Sequence, residues 1–416
     1  MKRMQNMKRI LRALLITAVF AGAPGCSQKS EIKTGPVVLH FYEHSDDGSA
    51  AQAVAQAFNA SQTELRVETH IIANDDYDDK ARVLAAGSTG EMDVFWIRAP
   101  SMVQQYIANN VLADLTPFAA ETGLDLAPIK NTSLPGASRD GKFYGMPVTG
   151  SAWLIFYNKD LFDAKGLPEP ANLTWTEYLD LTKSLTYTEG DKKYWGGIIP
   201  HWSLCLGAAA GGEYLTAPEP LPRSRQYLEV LNRAYNIDKS SPGLGEMTLS
   251  SFDAYALFGQ GTTYSMIMGD WSFSMLDVPF QYAGAPLPVL EGLPAESTVG
   301  QASYYCIPRT SKKQKEAWKF IEFATAKGGP QIWAEFKKVP SYPSEPALEV
   351  YQKLVTVPGV EYRFSARVSD ESGTEPFYGD LNEAFVQEGS LYLLGEQSLD
   401  KAMDNFLKLR KEILRK

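Results

Sequence analysis

The pattern of hydrophobic and polar positions from Val37 onward predicts strands and helices in alternation. The first strand has alternating bulk and runs into a polar loop, residues 45–49, that begins a helix. The predicted elements are, in order, strand Val37–His44, helix 50–59, strand 65–71, helix 75–86 and strand 92–96. This β-α-β-α-β order predicts a mainly parallel sheet with helices on its faces.

A second pattern marks residues 141–159 as the place where the chain leaves one lobe and enters another. Pro147 prevents a continuing helix and favours extended backbone on either side of it. Residues 152–157 are apolar without alternation, which is typical of a strand buried on both faces. Asn158 then caps a short helix, and Thr174 with Glu177 begins another helix in the manner of a capping box.

The first 25 residues have the features of a secretory signal peptide, because basic residues precede an apolar run, 13–23, that is too short for a permanent membrane span. Cys26 follows small residues and precedes a polar tether. We expect cleavage before Cys26, attachment of a lipid (palmitate) anchor to it, and residues 26–36 as the tether. Ordinary cleavage after Ala23 is the alternative, since Ala21 and Ala23 also fit a cleavage site.

Charge and cysteine content narrow the possible functions. Five basic and no acidic residues lie in the leader, so the remaining chain has 35 basic against 49 acidic side chains, a formal net charge of −14. Nucleic acid is therefore excluded as an expected partner. About 390 residues suffice for two domains. Cys205 and Cys306 either pair or remain buried free thiols.

Three stretches carry a family resemblance that covers nearly the whole chain. They are YNKDLFDAKGLPEPANLTWTEYLDLTKSLT (157–186), TTYSMIMGDWSFSM (262–275) and SKKQKEAWKFIEFATA (311–326). Their order and spacing resemble those of the extracellular solute-binding proteins, family 1, which serve ABC importers of sugars. The resemblance implies a two-lobed α/β fold of the periplasmic-binding-protein-like (type II) class. Each lobe would hold a mainly parallel sheet flanked by helices, and a hinge would join the lobes.

The resemblance also implies where each lobe begins and ends. Strand 197–200, helices 223–236 and 251–259 and strand 262–268 belong to the second lobe. The chain returns to the first lobe at about 282–288, forms strand 302–307 and a helix from Lys312 there, and crosses again near Pro340 into a mostly helical end. The first lobe thus spans 37–146 with about 282–338, and the second spans 147–281 with about 339–416.

Candidate solute-binding residues lie where strands end, because the crevice of an open α/β sheet lies beyond the carboxyl ends of its strands. A carbohydrate site needs flat aromatic platforms beside short polar groups. The candidates are Tyr42, Glu43, His44, Asp46, Trp96, Trp153, Trp202, Asp270 and Trp271. Trp271 stands where the family commonly stacks a sugar ring. The alternative for each of these tryptophans is a packing role. Trp175 and Trp318 are not candidates, because their helical positions favour packing.

The expected function follows from the family and the chemistry of these residues. An extracytoplasmic, lipid-anchored monomer would capture a sugar or oligosaccharide by hinge closure and deliver it to an ABC permease, with no cofactor or metal. Few basic residues other than Arg98 lie at the predicted strand ends, which favours a neutral solute. The alternatives are a secreted glycoside-processing enzyme, whose sequence markers are missing, and a ligand sensor that acts with a membrane receptor.

Overall fold

The computed structural model describes residues 35–87, 90–249 and 251–415. The predicted signal peptide, the tether up to residue 34 and the proposed lipidation site Cys26 lie outside the described residues. Within them, no helix combines the length and the apolar character needed to span a membrane.

The chain contains both strands and helices, and they alternate most regularly up to β3. The strands are β1 (Val37–His44), β2 (Leu65–Ile72), β3 (Val94–Ile97), β4 (Ser138–Arg139), β5 (Lys142–Phe143), β6 (Gly145–Gly150), β7 (Trp153–Asn158), β8 (Tyr187–Glu189), β9 (Lys192–Tyr194), β10 (Ser265–Gly269), β11 (Tyr282–Pro286), β12 (Ser297–Gly300), β13 (Ala302–Cys306) and β14 (Arg367–Asp370). The helices are α1 (Gly48–Ser61), α2 (Asn74–Ala86), α3 (Pro100–Ala108), α4 (Thr116–Thr122), α5 (Lys159–Ala164), α6 (Trp175–Ser184), α7 (Leu206–Ala210), α8 (Pro222–Asn232), α9 (Leu244–Met247), α10 (Ala254–Leu257), α11 (Ser272–Met275), α12 (Gln314–Ala326), α13 (Gly329–Glu335), α14 (Glu345–Leu354), α15 (Tyr362–Ser365), α16 (Tyr378–Leu393) and α17 (Leu399–Ile413).

The first lobe is built on a five-stranded sheet of order β2-β1-β3-β13-β6. β1 pairs in parallel with β2 and with β3, as the strand and helix order predicts. β13 runs antiparallel to β3 and β6, because β6 leaves the sheet and β13 re-enters it at the same end, where Gly150 pairs with Ala302. Phe41, Tyr305 and Phe320 pack edge to face or stacked in the core of this lobe.

The second lobe is built on a three-stranded sheet of order β10-β7-β11. Every residue of its central strand β7 is buried, as the unbroken apolar run predicts. The expectation of a mainly parallel sheet is wrong for this lobe, since β10 and β11 both run antiparallel to β7. The carboxyl ends of β10 and β11 therefore meet the amino end of β7, immediately after the chain has crossed from the first lobe.

The return to the first lobe lies later in the chain than the sequence predicts. The segment predicted to return, 282–288, instead begins with β11, which pairs with β7, and Ala283, Ala285 and Leu287 belong to the second core. β11 ends at Pro286, and an edge strand tolerates a proline because one row of its N–H groups has no strand partner. The chain returns only between β12 and β13.

Three chain crossings lie side by side between the lobes. Gly150 N donates to Val339 O (2.9 Å), Ser151 N donates to Gln301 O (3.0 Å), and Thr149 forms an antiparallel bridge with Pro340. The last of these segments contains Pro340, near which the sequence predicts a crossing. We call these segments, residues 149–152, 300–302 and 339–341, the crossover layer.

The structure confirms some of the local sequence predictions and not others. Asn158 accepts from Leu161 N (3.1 Å) at the start of α5, and Thr174 and Glu177 form the predicted capping box of α6. The predicted strand 197–200 makes only an isolated parallel bridge, between Ile198 and Met266. Cys205 and Cys306 are free thiols, buried in the second and first cores respectively, so the predicted alternative of two buried thiols is correct.

Candidate functional site

A cavity of about 670 Å³ lies between the two sheets and has the crossover layer as part of its lining. Strand ends and loops of the first lobe face it from one side, and the carboxyl end of β10 with the start of α11 faces it from the other. Seven predicted residues line this cleft: His44, Asp46, Trp96, Trp153, Trp202, Asp270 and Trp271. The structure thus brings together residues that lie up to 227 positions apart in the sequence.

Trp271 is held against the wall of the second lobe. Its indole N–H donates to Tyr255 Oη (3.0 Å), and its ring meets Trp153 edge to face with centroids 5.3 Å apart. The six-membered ring covers Gly269, where an added Cβ would come within 1.9 Å of Trp271 Cζ3. Trp271 remains partly exposed and faces the cavity, which gives it an aromatic surface fixed in place before any solute arrives.

Trp153 lies in the cleft wall behind Trp271 and Glu371. It is fully buried, and its indole N–H donates to Glu371 Oε2 (3.1 Å). Because none of its ring is exposed, it offers no open face on which a solute can stack. Burial raises the pKa of Glu371, and the hydrogen bond from Trp153 opposes this rise. Trp153 therefore acts as a support for Trp271 and Glu371 in this conformation.

The first lobe contributes a second aromatic group. Trp96, at the end of β3, packs against His44 with ring centroids 4.1 Å apart, and the Arg98 guanidinium lies 5.1 Å from the Trp96 ring centroid. Arg98 also donates to Asp78 (3.0 Å). Only 7% of Trp96 is exposed, so its contribution is an edge in the wall of the cleft, whereas Trp202 is 46% exposed at the cleft.

A buried charge cluster lies beneath the first-lobe wall. His44 Nε2 lies 3.4 Å from Asp47 Oδ2, and Lys338 Nζ lies 2.6 Å from Asp47 Oδ1. Burial raises the pKa of Asp47, but Lys338 and His44 outweigh it, so the pKa is well below its usual range. Burial lowers the pKa of His44, yet the neighbouring carboxylates Asp47 and Glu43 raise it overall. The pair Asp47–Lys338 joins the first lobe to the chain just before the last crossing.

Two predicted residues lie outside the cleft. Glu43 is completely buried and accepts from Tyr305 Oη (2.8 Å), and burial raises its pKa to about 8. Tyr42 stacks on His70, with ring centroids 4.5 Å apart, two residues short of the strand end. Side chains of a strand alternate between faces, so Glu43 points to the helix-covered core, and only the terminal His44 of this strand reaches the cavity.

Asp270 follows β10 and is 5% exposed. Its carboxylate Oδ2 lies 2.8 Å from Arg363 Nε, and its N–H donates to Ala152 O (2.9 Å) in the crossover layer. Burial raises the pKa of Asp270, and the charge of Arg363 opposes that rise. Asp270 is thus a carboxylate in the cleft wall with a fixed cationic partner behind it.

Acidic side chains outnumber basic ones around the cavity. The acidic ones are Asp46, Asp47, Asp75, Asp78, Asp270 and Glu371, and the basic ones are Arg98, Lys337 and Lys338. Arg98 and Lys338 are each paired with a carboxylate. An anionic solute would therefore meet unfavourable charge, which agrees with the sequence-based preference for a neutral one. In the described part of the chain, no three His, Cys, Asp or Glu side chains are grouped as a metal site requires.

Sequence reasoning missed Asp47, Tyr255, Lys338 and Glu371. Asp47 lies one position beyond a predicted residue and was within reach of the strand-end argument. Lys338 precedes the predicted crossing near Pro340, so its position carried a weak signal. Tyr255 and Glu371 come from a short helix and from the residue after β14, and nothing in their sequence surroundings distinguishes them from surface residues.

The chain is similar in sequence to known binding proteins. The model of the family "Bacterial extracellular solute-binding protein" matches residues 43–329. A putative binding protein of Brucella abortus (strain 2308) is 24% identical over 325 residues, which cover 73% of this chain and 75% of the relative. The arabinooligosaccharide-binding protein of Bacillus subtilis (strain 168) is 24% identical over 348 residues, which cover 77% of this chain and 76% of the relative.

Solved structures share the whole architecture. An ABC substrate-binding protein from Listeria monocytogenes, in complex with cycloalternan, superposes with a TM-score of 0.79 at 23% identity. The match covers 91% of this chain and 98% of that protein. The predicted two-lobed α/β fold class is thereby confirmed.

Proposed function

Since the chain belongs to the bacterial extracellular solute-binding proteins, as its sequence motifs predict, we propose that it captures a neutral sugar or oligosaccharide in the cleft and delivers it to an ABC permease. The observation that carries this proposal is the partly exposed indole of Trp271, fixed by Tyr255 and Gly269 beside the carboxylate of Asp270. A flat apolar face next to hydroxyl acceptors suits the C–H faces and hydroxyl rims of a sugar ring.

The size and charge of the cleft support the same solute class. A cavity of about 670 Å³ is in the range of roughly 300–1,000 Å³ that is typical of small-molecule sites, so it has room for a sugar or a short oligosaccharide. The names of the two relatives, an arabinooligosaccharide-binding protein and a protein bound to cycloalternan, point to oligosaccharides as well. The excess of carboxylates favours neutral solutes over uronic acids and sugar phosphates.

The solute is captured when the two lobes close on it. We infer that the lobes divide at the crossover layer, so the first holds residues 37–149 with 302–338 and the second holds 152–300 with 341–415. A solute that contacts Trp96 in one lobe and Trp271 in the other gains contacts only when both are near, so binding shifts the population toward the closed form.

The experiment is a melting-shift and calorimetry screen of the chain from residue 36. The panel holds neutral mono- and oligosaccharides, including arabino-oligosaccharides and cycloalternan, with a uronic acid oligosaccharide for comparison. A saturating ligand at 100 times Kd stabilises the fold by about 2.7 kcal/mol. We expect a neutral oligosaccharide to raise Tm and the uronic acid form not to do so. No shift with any sugar contradicts the proposal, and release of shorter sugars supports the enzyme alternative.

Matched tryptophan variants identify the site within that screen. Trp271→Ala is expected to weaken binding by at least about tenfold, because a central aromatic contact is lost. Trp202→Ala removes an indole of equal size that is 46% exposed at the cleft and donates no hydrogen bond within the described residues. We expect the smaller loss from Trp202→Ala. Equal binding by Trp271→Ala and the unmodified chain contradicts the assigned site.

The chain is proposed to act outside the cytoplasm, anchored through a lipid on Cys26. The support is the basic and apolar leader followed by a cysteine and a polar tether. Metabolic labelling with a fatty-acid probe, compared between the full chain and Cys26→Ala, distinguishes this from cleavage after Ala23. Label in the unmodified chain that is absent from the variant is the expected result.

A further inference from the structure

Arg363 lies behind the wall of the cleft and makes two contacts that join different parts of the molecule. Its Nε lies 2.8 Å from Asp270 Oδ2, and its Nη2 donates to Gly150 O (2.8 Å). Only 12% of the Arg363 side chain is exposed. One guanidinium therefore holds both a carboxylate that lines the cleft and a backbone carbonyl of the first crossing.

Gly150 lies within the crossover layer. Its N–H donates to Val339 O, and the next residue, Ser151, donates to Gln301 O. Asp270 is connected to the same crossing a second time, because its N–H donates to Ala152 O. The wall that faces the solute and the strands between the lobes are therefore joined through Arg363 and through one backbone hydrogen bond.

We propose that Arg363 is a positioning residue that fixes the ionised Asp270 carboxylate for solute binding and couples it to the crossover layer. The proposal rests on the proposed function, since it concerns how the same cleft recognises its solute. Arg363 acts through Asp270 and lies behind it, with α15 carrying it. The planar guanidinium suits this role because its Nε side pairs with the Asp270 carboxylate while Nη2 donates to the Gly150 carbonyl, which a lysine ammonium does with less fixed geometry.

Charge around Asp270 makes the proposal measurable as a pH dependence. The groups that face its carboxylate are Arg363 from α15, Lys338 next to the last crossing, and the Tyr351 hydroxyl from α14. Burial raises the pKa of Asp270, and Arg363 and Lys338 lower it. Without Arg363 the pKa rises further, so Asp270 takes up a proton at higher pH and stops acting as a charged acceptor for solute hydroxyls.

The test measures solute affinity from pH 5 to pH 9 with the sugar identified in the screen. Arg363→Gln keeps a hydrogen-bond donor but loses the charge. We expect at least about tenfold weaker binding at pH 7, and an upward shift of about one to three units in the pH at which affinity is half-lost. Arg363→Lys retains the charge, so its pH midpoint is expected to return toward that of the unmodified chain.

Arg367→Gln is the matched control, because Arg367 lies four residues further along, is exposed on β14, and loses the same charge. We expect it to keep the pH midpoint of the unmodified chain. A purely structural role of Arg363 predicts weaker binding by the same factor at every pH, and that outcome overturns the proposal. An equal shift in Arg367→Gln also overturns it, since the effect would then be general electrostatics.

A readout without solute separates this proposal from the proposed function. If the unmodified chain binds no sugar in the panel, the proposed function fails, but the Arg363–Asp270 coupling is still measurable as stability against pH. A carboxyl whose folded pKa is raised loses stabilisation as pH rises toward that pKa. We expect this loss to be larger in Arg363→Gln and to disappear in Arg363→Gln with Asp270→Asn. Parallel curves for the single variant and the unmodified chain overturn the coupling.

Discussion

Trp271 is oriented by a residue that has no side chain. The indole lies directly over Gly269, two positions earlier, and an added Cβ there would fall 1.9 Å from Cζ3 and 2.2 Å from Cε3 of the ring. The backbone of Gly269 is ordinary extended strand, so this glycine serves close approach and not an unusual φ. The Gly-x-Trp spacing therefore has a steric reason: the glycine makes room for the ring that faces the solute.

Gly269→Ala is expected to displace the indole and thereby impair sugar binding. A methyl group at 1.9 Å from ring carbons requires the ring to move, and overpacking of this kind costs about 1–3 kcal/mol. We expect at least about tenfold weaker binding with a modest fall in Tm, measured by calorimetry and thermal unfolding. Gly245→Ala is the control, because an added Cβ there meets only Leu394 Cδ2 at 3.9 Å. Unchanged affinity in Gly269→Ala contradicts this account of Trp271.

The argument from strand ends identified some residues of the cleft correctly and failed for others. His44, Trp96 and Trp271 were predicted from their positions and do line the cleft. Glu43 was included although it points to the face opposite to that of His44, whereas Tyr42 shares the face of His44 but lies two residues short of the strand end and stacks on His70. Burial raises the pKa of Glu43 to about 8, and its hydrogen-bond partner Tyr305 comes 262 residues later, so no local pattern predicts this environment.

At the level of elements, two backbone segments of the crossover layer approach each other closely. An added Cβ at Gly300 would lie 2.0 Å from the carbonyl oxygen of Ser151, in the neighbouring crossing. The same crossing is held by Ser151 Oγ and N, which both contact Gln301. Close contact of two backbones at this point requires a glycine, because a backbone oxygen cannot rotate away as a side chain can.

Gly300→Ala is expected to separate two crossings and so to destabilise the fold by about 2 kcal/mol or more. The measurement is denaturant unfolding together with solute affinity, and we expect both to fall. Gly150→Ala is a matched control in the same layer, since its added Cβ would meet Ser341 Oγ at 3.5 Å and Arg363 Nη2 at 3.6 Å, which are ordinary contacts. Equal stability of the two variants contradicts the requirement for close approach at Gly300.

Elements were predicted well where their signal is local and poorly where it depends on a partner strand. The capping residues Asn158 and Thr174 and the buried strand β7 are encoded within a few positions and were predicted correctly. The assignment of β11 to a lobe depends on its pairing with β7, 124 residues earlier at Tyr282 and Asn158, whereas the predicted return at about 282–288 was based on the family resemblance. The antiparallel direction of the second sheet was missed for the same reason.

At the scale of the whole molecule, the charge of the cleft matches the charge of the chain. The full chain has a formal net charge of −9, and carboxylates also outnumber basic groups around the cavity. Long-range attraction of anionic solutes is therefore absent, and recognition depends on contacts within the cleft. A neutral sugar suits this arrangement because its affinity comes from stacking and hydrogen bonds, which are short-range.

Closure of the two lobes on the solute is expected to change the dimensions of the whole molecule. The aromatic walls of the two lobes belong to separate cores that are joined through the crossover layer, so the least costly motion is a rotation of one core relative to the other. We expect the radius of gyration in small-angle X-ray scattering to fall when a saturating neutral oligosaccharide is added. Trp271→Ala at a sugar concentration near the Kd of the unmodified chain is the control and should show a smaller fall, in proportion to the bound fraction that calorimetry gives. Saturated binding in calorimetry with an unchanged radius of gyration would mean that the cleft receives its solute without closing, because a ligand shifts a conformational equilibrium only by its difference in affinity for the two forms.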